Sequence, residues 1–151
     1  MEQAFQELLI GHVIWGVLGV GVFYVTWMGL YKKDIKINFL KYATLVGLIS
    51  FIASWIEGGY YYVAYYGSAV KPAIKAGDYP WAHSVFMEIK EHIFLFLPFL
   101  AATILLSLWC LGDEVKQNKK LRNAVASLAG LTFIIGVLII LGGMVVSGAA
   151  K

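Results

Sequence analysis

The chain has little charge. Asp, Glu, Lys and Arg make up 14% of its 151 residues, against roughly 25% in an average soluble domain. That scarcity argues against a soluble enzyme, a disordered tail and a nucleic-acid-binding module. There is one cysteine, Cys110, so neither an internal disulfide nor a thiol pair for redox chemistry can form. No Cys-x-x-Cys-His is present, which excludes covalent haem attachment by that motif. Prolines number three, and only Pro98 interrupts a long apolar run, where it predicts a kink and a freed carbonyl. Lys and Arg are missing from Met1 to Glu7, so a cleaved signal peptide with a positive leading region is not expected.

What is present is apolar. Hydrophobic residues make up 60% of the chain, and its mean hydropathy is +0.76. A bilayer core takes about 20 mostly apolar residues as helix. Four segments qualify: Phe5 to Leu30, Phe39 to Ala64, His83 to Leu111 and Asn123 to Gly148. The expectation is a single all-α domain, an integral membrane four-helix bundle. Much of the glycine lies inside the spans, where small residues let helices approach closely.

The connections set the orientation. Lys32, Lys33, Lys36 and Lys41 fall between spans 1 and 2, and Lys116, Lys119, Lys120 and Arg122 between spans 3 and 4. The opposite side carries only Lys71, Lys75 and Lys151. The positive-inside rule then places both termini and the 65–82 connection on the outer, periplasmic side of a cell (inner) membrane. Tyr60, Tyr61, Tyr62, Tyr65, Tyr66 and Trp81 read first as an aromatic interface belt.

A charge at the centre of a span costs about 2.5–3.5 kcal/mol on insertion scales. Three of the nine acids nevertheless stand in spans: Glu57, Glu88 and Glu91. His12 and His92 join them, with His83 at the outer boundary. At about 1.5 Å per residue, His12, Glu57 and His92 all fall about 8–9 Å outward of the midplane. Glu88 and His92, four residues apart, share one helix face, flanked by Glu91. Gly16 and Gly19 lie on the His12 face of span 1. Lys90 is expected on the other side of span 3, snorkelling outward.

Two histidines at one depth on separate helices suit bis-imidazole ligation of haem b. His12 and His92 are the expected axial ligands, with Gly16 and Gly19 making room for a flat macrocycle. Glu57 and Glu88 would orient an imidazole or handle protons, and Glu91 would join them. His83, Lys71 and Lys75 would meet propionates or an acidic partner. On this architecture and these two histidines, the chain resembles the small four-helix membrane cytochromes b. That resemblance implies electron exchange between a quinone pool and a partner protein at the outer face, within a larger complex. Three alternatives stand beside it. One is a non-haem iron or zinc site built from the same imidazoles and carboxylates. Another is proton or cation movement. The last is plain interhelical pairing in a structural accessory subunit of a respiratory complex.

Overall fold

The computed structural model describes residues 2–150, and the regular structure of these residues is helical. Helix α1 spans Glu2–Leu30. It is followed by α2 (Ile37–Tyr61), a π-helical segment π1 (Tyr62–Val70) and α3 (Lys71–Ala76). After a turn come a second π-helical segment π2 (Ala82–Met87), α4 (Glu88–Phe94) and α5 (Phe96–Gln117). The last element is α6 (Lys119–Ala149). Because α2–π1–α3 and π2–α4–α5 run on with little break, the chain forms four columns. All four are long and apolar enough to cross a membrane.

The columns run up and down in sequence. Column one packs on column two, two on three, three on four, and α6 returns to α1. Such a ring is the usual outcome of short connections between apolar helices. It gathers the lysine-bearing connections at one end, the lysine-rich end. Both ends of the described chain and the 77–81 turn lie at the other, the terminal end.

Columns two and three are longer than expected, at 40 and 36 residues. The segment expected as an outer loop from 65 continues as helix to Ala76. The chain there lacks a breaker until Pro72, which stands at the start of α3, where its missing N–H costs nothing. Column three is interrupted at Leu95, one turn before Pro98, whose missing N–H cannot bond the Phe94 carbonyl. Asn118 alone joins α5 to α6, and its Oδ1 accepts from Lys120 N at 2.9 Å and Leu121 N at 3.2 Å.

The lysine-rich half is tightly packed. Phe23 and Phe51 are fully buried and stack with centroids 5.4 Å apart. Phe51 lies against Gly19, and Val20 against Gly136, so close that a Cβ at either glycine would collide. Leu97, Ala101, Ile104 and Leu108, spaced by four, three and four, give α5 its buried stripe. Buried hydroxyls here bond within their own helix: Thr44 Oγ1 donates to Leu40 O at 2.8 Å and Thr132 Oγ1 to Leu128 O at 2.8 Å. The outward faces remain apolar, with Ile56 65% and Phe99 73% exposed. Lipid is the solvent that such faces suit.

Candidate functional site

Polar side chains reach across between helices mainly in the terminal half. His12, on α1, turns inward against α2. Its Nδ1 lies 2.7 Å from the main-chain oxygen of Ser54. A carbonyl only accepts, so the ring proton is on Nδ1 and Nε2 is an acceptor. Ser54 Oγ donates to the main-chain oxygen of His12 at 2.9 Å, locking the two helices at this level. Gly58 makes the inward turn possible: a Cβ there would run into the imidazole.

Lys90, on α4, meets the free nitrogen. Its Nζ donates to His12 Nε2 at 3.4 Å, and Gly143 of α6 closes on it from the far side. The expectation that Lys90 snorkels outward is therefore corrected. The buried stripe of α5, followed back from Leu97 through Phe94, arrives at Lys90, Glu91 and Met87. An ammonium has three N–H donors, and His12 engages one.

Around this pair the helices leave a cavity of about 400 Å³, within the range of small-ligand sites. Trp55, Tyr62, Tyr66, Met87 and Phe94 are among the residues that line it, with Glu91 beside the lysine. Glu91 Oε1 is buried without a hydrogen-bond partner among the described residues. Tyr66 also leads away from the cavity: its hydroxyl lies 3.0 Å from Nδ1 of His83, and both residues are buried. The π-helical turns π1 and π2 carry these two side chains, in line with the tendency of π-helical turns to occur at functional sites. His83 Nε2 is buried and has no partner among the described residues.

The expected site residues divide accordingly. His12 and Glu91 line the cavity, and Gly16 lines a smaller one continuous with it. His92 does not come to His12. It is exposed on the opposite face of α4, with Nδ1 2.7 Å from the Glu88 carbonyl of its own helix. Glu88 shares that exposed face. Their shared face, expected to meet His12, points away from it because the Leu97–Leu108 stripe sets the buried face of column three. Gly19 offers no seat for a macrocycle, since the Phe51 ring covers it. Glu57 packs its carboxylate on Gly11, with Oε2 buried and unpartnered among the described residues. The imidazole-orienting role expected of Glu57 is taken by Ser54, three residues earlier. His83 lies in its own cluster with Tyr66, away from the His12 ring's hydrogen bonds. The two-histidine clamp expected for haem b is thus not formed. Among the described residues, no three His, Cys, Asp or Glu side chains converge as a metal site would require.

Sequence reasoning passed over Ser54, Lys90 and Tyr66 as site residues. Lys90 was legible in the α5 stripe extended backward. Tyr66 was hidden within a run of tyrosines that suits an interface belt equally well. Comparison with protein-family models, with curated proteins and with solved structures finds no match to this chain.

Proposed function

We propose that this chain is a membrane-embedded electron-transfer subunit that takes a lipid-soluble carrier of the quinone type at the His12–Lys90 pair. The observation that carries this reading is an ammonium 3.4 Å from an acceptor imidazole in a cavity walled by aromatic and apolar groups. A lysine inside a span is costly to bury, so it asks for a group that uses it. A quinone carbonyl accepts hydrogen bonds without bringing charge into the span. Lys90 donates to one carbonyl oxygen in this reading. For a quinol to be oxidised, Lys90 Nζ moves off His12 Nε2, whose one lone pair then takes the proton of the first hydroxyl while the Ser54 carbonyl holds Nδ1–H. The second proton goes to the Glu91 carboxylate on the cavity wall, and the two electrons go to an oxidised centre of the partner protein. Trp55, Tyr62 and Phe94 provide faces for the planar head.

The positive-inside rule puts the lysine-rich end in the cytoplasm and the cavity in the outer leaflet of the cell membrane. Protons leaving a quinol would exit outward, and electrons would pass to a partner protein at that face. The test is binding in lipid nanodiscs, read by quenching of tryptophan fluorescence with a short-tailed benzoquinone. Lys90→Met is expected to weaken binding at least tenfold. Absence of any saturable binding to the unaltered protein would sink the reading.

A second reading has one observation in its favour. An imidazole whose Nδ1–H is held by a carbonyl and whose Nε2 faces a cavity is oriented as an axial ligand is. It supports haem b held by His12 without His92, with the Lys90 amine displaced from the Nε2 direction. A Soret band lost on His12→Ala and kept on His92→Ala would favour it.

A further inference from the structure

The His12–Lys90 pair stands between two chambers. His12, Ser54, Lys90 and Phe94 line the 400 Å³ cavity and also a second one of about 190 Å³. The second chamber has a different character. It follows the seam between α1 and α6 toward the middle of the bundle. Val13, Gly16 and Val17 form one wall, and Ile139, Ile140 and Gly143 the other. Phe51 and Leu97 form its floor. It ends where Val20 closes on Gly136. From His12 to Val20 is eight residues of helix, about 12 Å. Below the level of Ser54 and Ser147 every lining side chain is apolar.

The outer edge of this chamber faces the lipid side of the bundle. Its lips are Val13, Val17 and Met144, which are 51%, 49% and 65% exposed. An apolar void of about 150 Å³ stays dry and takes up an apolar guest. A larger one open to a bilayer takes up a hydrocarbon chain, because its lining otherwise lacks partner atoms.

We infer that the ligand is a single-tailed amphiphile, a quinone bearing an isoprenoid or alkyl tail. Its head occupies the aromatic chamber and its tail the α1–α6 groove. This rests on the quinone-carrier reading of the larger chamber and adds the tail, its path and its way in. The ligand enters sideways from the outer leaflet between α1 and α6. The polar pair grips it where head and tail join. A tail longer than the groove leaves past Val17 and Met144 into the bilayer.

The experiment compares one benzoquinone head with and without a ten-carbon tail. Both bind to the full chain in nanodiscs, and both are scored at equal mole fraction in the membrane so that partitioning cancels. The tailed compound is expected to bind at least tenfold more tightly. Val17→Phe and Met144→Trp, each placed on an exposed lip so that the fold survives, are expected to erase most of that tail advantage. Equal affinity of the two compounds overturns the inference while leaving the head site standing. So does a tail advantage that persists in both variants. Binding of neither compound overturns the quinone-carrier reading and the inference with it.

Discussion

The two halves of this bundle follow different rules. In the lysine-rich half, glycines admit aromatic and aliphatic side chains, hydroxyls bond to their own helices, and Phe23, Phe51, Ile104 and Leu108 have no exposed surface. In the terminal half, hydrogen bonds cross between columns, two cavities remain open, and three side-chain atoms are buried without partners among the described residues. Helix association in lipid relies on close packing and on interhelical hydrogen bonds, because the tails outside are as apolar as the core. One half uses the first means and the other the second. The close packing of the one half lets the other carry a lysine and carboxylate oxygens without partners among the described residues, which a packed core would not tolerate.

That contrast can be broken experimentally at three levels. The largest effect belongs to the packed half. Phe51→Ala removes a ring that fills the space against Gly19 and stacks on Phe23. It should cost about 3 kcal/mol of stability by loss of packing, read as a lowered unfolding midpoint in mixed micelles. A loss under about 1 kcal/mol would mean that this half is not the anchor. The next effect belongs to the site. Gly58→Ala drives a methyl group into the imidazole and breaks the 2.7 Å bond from His12 Nδ1 to Ser54. Stability should fall by about 1 kcal/mol, while affinity for the quinone head falls about tenfold. A stability loss as large as that of Phe51→Ala would erase the difference between the halves. The smallest effect is at His92, exposed on the far face of α4. His92→Ala should change stability by less than about 0.5 kcal/mol and leave quinone binding as it was. Loss of a haem spectrum on this substitution would instead restore the two-histidine reading.

The four spans were legible because twenty apolar residues have few alternatives to a transmembrane helix. His12 was legible as an interior group, since its helix offered glycines on the same face. The ends of columns two and three were not, because Tyr60–Tyr66 reads equally well as a belt at the surface and as a helix continuing beyond it. The inward face of column three was misjudged for a physical reason. The cost of charge in lipid argues for Glu88 and His92 in the interior, yet the packing stripe Leu97, Ala101, Ile104 and Leu108 fixes which face is buried. Once that stripe is extended through the break at Leu95, Lys90 and Glu91 come inward, and Glu88 and His92 turn out. Ser54 carried no sequence signal of its own, since a serine in a span more often bonds back to its own helix, as Ser50 does to Val46.

The ring of four helices closes through the contact between α1 and α6, the two elements farthest apart along the chain. Synthesis therefore makes the site in instalments. The imidazole enters with the first helix and the ammonium with the third. The wall that separates them from lipid, Gly143 and its neighbours on α6, arrives with the last. The binding cavity is in this way complete only when all four columns are in place.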